Sequence, residues 1–282
     1  MLTDTKNAIR SRLVQFAITI IMFFIVLVSF IPIVWMFLNS FKSNAEVFRT
    51  PLSLPSEWDF SIFSYAWTEY GLGKAFFNSL VITISVVVLN LLFSSLAAFA
   101  TSHMRFYGKT VFLSVCIGCQ VVSGQVLLVP LFKILREIGL YNSRTGVVLV
   151  MCAFSVPMSL FLFHGFFKAI PVEIYESAKM DGCRNLRYYF AFLLPLSKPI
   201  IASVTIFQAL NAWNEYLFPL TFLRNPDLMP IPTVLKSLFS SYSQQYNANF
   251  AALTIVVAPI LLLYVFLQKQ FVNGLTSGAV KG

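Results

Sequence analysis

The sequence predicts an all-α membrane protein with six transmembrane helices. Composition is the first reason: 58% of the 282 residues are apolar and only 11% are charged. Mean hydropathy is +0.79. Soluble domains are nearer half apolar and a quarter charged, so lipid must cover much of this surface. The second reason is that the apolar residues fall into long uninterrupted stretches, six in all. About 20 apolar residues cross the hydrocarbon core as a helix. The third is backbone chemistry, because lipid leaves unpaired N–H and C=O groups unsatisfied and a span of this length must be helical.

The spans are expected at about Val14–Leu38, Phe77–Ala100, Val111–Phe132, Val147–Phe167, Ile200–Phe222 and Phe250–Phe266. The last is the shortest and extends toward Gln268. Pro32 and Pro130 fall inside or near the ends of their spans, where kinks are expected. The first span is an anchor rather than a cleaved signal, being about twice the usual signal core with no small-residue cleavage site after it. The domain reading is an N-terminal segment 1–13, a membrane domain 14–270 and a tail 271–282.

Orientation follows from Lys and Arg. With an even number of spans both termini share a side. Lys6, Arg10, Arg12, Arg105, Lys109, Lys168, Lys179, Arg184, Arg187, Lys198, Lys269 and Lys281 share it too, twelve of the chain's 20 basic residues. That side is expected to be cytoplasmic, in a multi-pass protein of the cell membrane. The net charge of +9 is explained by these loops. No basic cluster is interleaved with exposed aromatics, so nucleic acid is not an expected partner.

The cytoplasmic loop 168–199 is the most informative segment. Pro171 suits the first turn of a helix, and Glu173 and Glu176 lie toward its positive end. Val172 to Met180 are good helix formers, and Asp181-Gly182 supplies a stop. A second helical stretch, about Arg184 to Phe192, leads to Leu194-Pro195. Small Ser177 and Ala178 permit close approach of a partner surface, and Glu176 offers it a charge. The competing reading is a helix lying on lipid headgroups. That needs a basic polar face, whereas this one carries mainly acids.

Several other patterns imply little. Cys116 and Cys119 have C-x-x-C spacing but fall in the third span without a second pair, so packing is expected, not metal. Cys152 lies in a span and Cys183 in a cytoplasmic loop, so no disulfide framework is expected. His103 and His164 fall at inner span ends. Gly108-Lys109-Thr110 lacks the earlier glycine of a phosphate-binding loop, position 103 being His. No catalytic residues and no metal or nucleotide site are expected in this chain.

Glu176-Ser177-Ala178, Gly182 four residues on and Leu194-Pro195 together resemble the coupling-loop signature of ABC-importer permeases. Ser177 and Phe192 depart from its usual Ala and Ile. Asn39-Ser40-Phe41-Lys42, Asn78-Ser79-Leu80, Gly139-Leu140-Tyr141-Asn142, Trp213-Asn214-Glu215-Tyr216 and the ending Gly274-Leu275-Thr276 with Gly278-Ala279-Val280-Lys281-Gly282 are similar to the carbohydrate branch. The second, six-helix permease of maltose-type importers is the most similar subunit. Ser123, where similar proteins often carry Pro, is a further departure.

The resemblance implies a type I ABC importer permease bundle with a cytoplasmic coupling helix. Its implied partners are a homologous second permease, two ABC ATPase subunits holding ATP and Mg, an extracytoplasmic solute-binding protein, membrane lipid and a carbohydrate substrate. The chain forms half of the pathway and is not itself an enzyme. It implies ATPase coupling through Glu176, Ser177, Ala178, Asp181, Gly182, Leu194 and Pro195. For the sugar path, the residue types nominate Trp213 and Tyr216 for stacking. Asn90, Gln120, Gln125 and Asn214 are nominated for hydroxyls, and Glu215 as the acid within a span. Ties between helices are the competing role for each. A permease for another polar solute, a stand-alone channel or secondary carrier, and an intramembrane enzyme are the alternatives. The carrier reading wants an internal repeat, and the enzyme reading wants a nucleophile with its base or a metal cluster.

Overall fold

The computed structural model describes the backbone of residues 2–240 and 245–279 and the side chains of residues 14–238 and 245–266. Among these residues there is helix, turn and loop but no strand. The chain divides into two compact units, Met1–Tyr70 with Ser241–Ile255 and Gly71–Ser240 with Val256–Gly282.

The first unit holds α1 (Leu2–Ser40), α2 (Asn44–Arg49) and α3 (Ser61–Thr68). The expected boundary at residue 13 falls inside α1, whose backbone runs on without a break, Pro32 included. Ser43 starts α2 with a capping box, accepting from the Glu46 N–H while the Glu46 carboxylate accepts from the Ser43 N–H. The Asn39–Lys42 motif ties the loop to the end of α1. Lys42 is buried and its Nζ donates to the carbonyls of Thr50 (2.9 Å) and Pro51 (3.0 Å). Trp35 Nε1 donates to the same Pro51 carbonyl at 2.9 Å. The Phe41 ring sits 4.9–5.2 Å from those of Trp58, Phe60 and Phe63.

The second unit contains α4 (Leu72–His103), α5 (Lys109–Val121), α6 (Leu128–Glu137) and α7 (Arg144–Ala169). Next come α8 (Val172–Met180), α9 (Asn185–Tyr188), a π turn at Tyr189–Leu193 and α10 (Leu194–Leu196). The series ends with α11 (Lys198–Asn214), α12 (Leu217–Phe222), a 3-10 turn at Pro226–Leu228 and α13 (Ile231–Ser240). Helix α14 (Tyr246–Ala279) starts in the first unit and finishes in the second. The expected tail boundary at 271 also falls inside a helix, and the side chains of the terminal glycine-containing motif lie outside the described residues.

Long α4 packs along α7 and α11, and these three make the core. The buried polar residues of α4 are small or amide-bearing: Asn78, Ser79, Thr83, Asn90, Ser94, Ser95 and Thr101. Small side chains let helix backbones approach where no water drives them together, and their polar atoms bond across the contact. Asn90 Nδ2 donates to Ser155 Oγ of α7 at 2.8 Å, and Gln208 Nε2 of α11 donates to Ser159 Oγ at 2.8 Å.

Two expected spans are interrupted and their bounds corrected. Among the described residues, four helices are long and apolar enough to cross a membrane, Val14–Ser40, Leu72–His103, Arg144–Ala169 and Tyr246–Phe266, and the bent pair Asn185–Leu196 with Lys198–Asn214 makes a fifth if taken as one span. The third expected span, Val111–Phe132, is broken between Val121 and Leu128. Turns closed by Val126 N–H to Ser123 O (3.1 Å) and Leu127 N–H to Gly124 O (3.2 Å) fill the gap. Pro130 therefore stands in the first turn of α6, where its missing N–H costs nothing, instead of kinking a continuous span. The fifth, Ile200–Phe222, ends at Asn214 and resumes as α12. At its other end α11 follows the stretch Asn185–Leu196 across an 80° bend at Ser197.

Candidate functional site

Two places carry chemistry. The first is the loop after α7. Helix α8 occupies Val172–Met180, the span its residue types predict. It ends in a Schellman motif. Gly182 takes φ +74°, Cys183 N–H donates to Ala178 O (2.9 Å) and Gly182 N–H donates to Lys179 O (3.0 Å). A side chain at Gly182 would be strained whatever space surrounds it.

The two faces of α8 differ sharply. Tyr175 and Ala178, three residues apart, are buried in an aromatic cluster with Phe99 of α4, Phe163 and Phe167 of α7, and Tyr188 and Tyr189. The Tyr175 ring lies 4.9 Å from that of Tyr188 and 5.2 Å from that of His103. Tyr175 Oη donates to Asn185 Oδ1 at 3.0 Å, tying α8 to α9. Tyr189 and Ser95 share a hydroxyl–hydroxyl bond of 2.6 Å. Glu173, Glu176, Ser177, Met180 and Asp181 are exposed on the other face. Ala178 is buried, and its small size lets α8 seat closely on its own bundle. The second expected helix, Arg184–Phe192, is α9 widened into the π turn before Pro195. A proline ring clashes with the carbonyl four residues back, and the wider turn relieves it. Leu194 is partly buried and Pro195 exposed.

The second place is a cavity of about 240 Å³ between α4, α7, α11 and α12. Phe154 and Phe218, stacked at 5.3 Å, form its aromatic wall with Met151 and Met158. Ser155, Gln208, Asn211 and Glu215 supply its polar groups. Glu215 sits at the break between α11 and α12, not within a helix. Its Oε1 accepts from the N–H groups of Leu217 (2.7 Å) and Phe218 (3.1 Å), capping α12 where the helix dipole is positive. The break in the third span also serves this wall: a Cβ at Gly124 would meet Phe218 Cζ at 2.8 Å.

The nominated pathway residues scatter. Glu215 lines the cavity, and Asn90 stands one bond behind it, on Ser155. Trp213 is buried against Phe76 and lines a different, apolar cavity of about 260 Å³. Tyr216 carries the Lys236 ammonium 4.8 Å above its ring. Asn214 is exposed and donates to Leu210 O (2.9 Å), and Gln120 and Gln125 are exposed on and after α5. Sequence reading missed Ser155, Gln208 and Asn211. Part of the signal is in the sequence, since Gln208 and Asn211 at i and i+3 share one face of α11, with Glu215 just past its end. His103, His164 and the four free cysteines join no such group. Among the described residues, no three His, Cys, Asp or Glu side chains cluster to hold a metal.

Long apolar helices packed around a polar cavity fit the class of membrane transport permeases. The chain belongs to the family described as binding-protein-dependent transport system inner membrane component, whose signature matches residues 8–277. It is 36% identical over 251 residues to the probable ABC transporter permease protein YurM of Bacillus subtilis, covering 89% of this chain and 83% of that one. It is 34% identical to the arabinooligosaccharides transport system permease protein AraQ of Halalkalibacterium halodurans, covering 96% and 98%. The fold matches a chain in the crystal structure of a bacterial ABC transporter involved in the import of the acidic polysaccharide alginate. That match has a TM-score of 0.80 and 25% identity over 92% of this chain and 97% of that one.

Proposed function

We propose that this chain is one of two permease subunits of an ATP-driven importer for a carbohydrate. The observation that carries this reading is the end-to-end similarity to permeases such as AraQ, named for oligosaccharide transport. In this reading the α8 end is cytoplasmic, as the distribution of Lys and Arg favours, and both termini share that side. Two ATPase subunits hold ATP and Mg and press on the exposed face of α8. Hydrolysis resides on them and not on this chain. A solute-binding protein delivers the sugar from outside, and a homologous permease completes the pathway.

Local geometry supports a coupling role for α8. Tyr175 and Ala178 join it to α4, α7 and the start of α11 through packed rings, so a push on the exposed face reaches three spans as one body. Glu176, Ser177, Asp181 and the projecting Met180 form the contact face, with Gly182 setting the turn. Within the membrane, Ser155, Gln208, Asn211 and Glu215 beside the Phe154–Phe218 wall have the mixed character a sugar demands: a flat apolar face and a few directed hydrogen bonds.

The test is uptake of labelled oligosaccharides by proteoliposomes holding the chain with the permease, ATPase and binding protein that co-purify with it. ATP-dependent accumulation is expected. Glu176→Lys and Gly182→Pro are expected to abolish it while the chain stays in the membrane. Normal uptake by Gly182→Pro would remove the role given to that turn, and uptake of an amino acid instead would replace the substrate class.

A further inference from the structure

A third cavity, about 490 Å³, opens between the end of α4 and α8. Arg105, Lys179 and Glu176 stand on it, over a floor of Tyr175 and His103. All three charged residues are exposed. Among the described residues the single ion pair is Lys74–Asp227, so neither cation has a carboxylate within 4.0 Å and Glu176 has no basic partner. The notch is not loosely built. Tyr175 is fixed by its bond to Asn185, and the Lys179 ammonium rests 4.8 Å above the Tyr175 ring. Two cations and one anion thus line one opening, none of them in an ion pair.

We propose that this notch is a second docking point for the ATPase subunit, and that it receives an acidic side chain of that subunit between Arg105 and Lys179. This deepens the coupling reading of α8 and rests on it. It adds a segment that the sequence motifs do not mark, the loop after α4. Glu176 decides between candidate occupants. An anionic lipid headgroup would lie beside a like charge, which is costly, whereas a protein edge bearing both an acid and a base satisfies all three groups. Gripping α4 and α8 together would let the ATPase turn them as one piece.

Zero-length carbodiimide coupling tests this directly, because it joins an amine to a carboxylate only where they already touch. Applied to membranes holding the complete wild-type complex and read by mass spectrometry, it is expected to join Lys179 to an Asp or Glu of the ATPase. Arg105→Glu with Lys179→Glu is expected to weaken retention of this chain on tagged ATPase at least about tenfold, and added salt is expected to weaken wild-type retention. The variant's melting temperature without ATPase is measured alongside and is expected to stay unchanged, which excludes misfolding as the cause. If Glu176 couples to an ATPase lysine while Lys179 couples to nothing on that subunit, the notch proposal falls and the α8 reading stands. If neither residue couples and the wild-type chain is not retained, both fall. Retention that ignores Arg105→Glu, with loss of bound anionic lipid in that variant, would assign the notch to a headgroup.

Discussion

The two ends of the second unit are held by different forces. At the α8 end the joint is aromatic: Phe99, Phe163, Phe167, Tyr175, Tyr188 and Tyr189 interlock with few directed bonds. At the other end apolar packing of Phe132, Tyr141, Phe222 and Leu223 is supplemented by a set of long-range hydrogen bonds. Asn142, at φ +57°, accepts through Oδ1 from the N–H groups of Arg224 (2.8 Å) and Asn225 (3.0 Å). Asn78 Nδ2 donates to the carbonyls of Asp227 (2.9 Å) and Met229 (3.0 Å), and Lys74 pairs with Asp227 at 2.8 Å. Packed rings lose contact over a fraction of an ångström, so the first joint moves as a body or not at all. Polar groups exchange protein for water at small net cost, so the second can shift and re-form. The comparison teaches that the α8 end is built to stay rigid, and that the far end carries the contacts that re-form at least cost.

Tyr175→Ala should break the comparison most severely. Removing a buried aromatic ring costs about 3–5 kcal/mol, and a fall in melting temperature with loss of uptake is expected. Tyr175→Phe should keep the packing and lose only the bond to Asn185, about 0.5–1.5 kcal/mol, with uptake retained. Gly182→Ala forces a β-carbon into the left-handed region, at about 1–2 kcal/mol, and should lower coupling between ATP hydrolysis and uptake without loss of membrane insertion. Asn142→Ala leaves two backbone donors to find water, about 1–2 kcal/mol. Faster hydrogen exchange across residues 224–229 is the expected readout, with the α8 end unchanged.

The smallest effect belongs to Lys74–Asp227, an exposed pair. The Lys74 ammonium, by hydrogen bond and then charge, holds the Asp227 carboxyl below its ordinary range. A lowered carboxyl stabilises the fold above its unfolded value, about pH 4, and loses that contribution as pH falls through the lowered one. Lys74→Ala should leave the neutral-pH melting temperature nearly unchanged and remove only this acid-range component, a difference that salt should erase.

Much of this was legible in the chain. Helix α8 and its stop could be read because Pro171, a run of helix formers and Gly182 are local signals. The motif residues were legible as a set, but their work was not. Asn142 and Asn78 bond to backbone some 80 and 150 positions away, and no local pattern announces such partners. The breaks in the third and fifth spans were missed because hydropathy counts apolar residues and is blind to where the helix is interrupted. Glu215 reads in the sequence as an acid in a span, whereas its cap of α12 depends on the break after Asn214. Which side Ala178 faces is not legible either, because smallness serves an inner contact as well as an outer one.

Sequence alone determined the solvent, the helical backbone and the elbow after α7. These follow from hydropathy and backbone hydrogen bonding, which act within one stretch of chain. Tertiary structure alone decided which face of α8 is buried, which polar residues share a cavity and where three unpaired charges meet at Arg105, Glu176 and Lys179. Those outcomes depend on contacts between segments far apart in sequence, and only the packed bundle brings them within reach of each other.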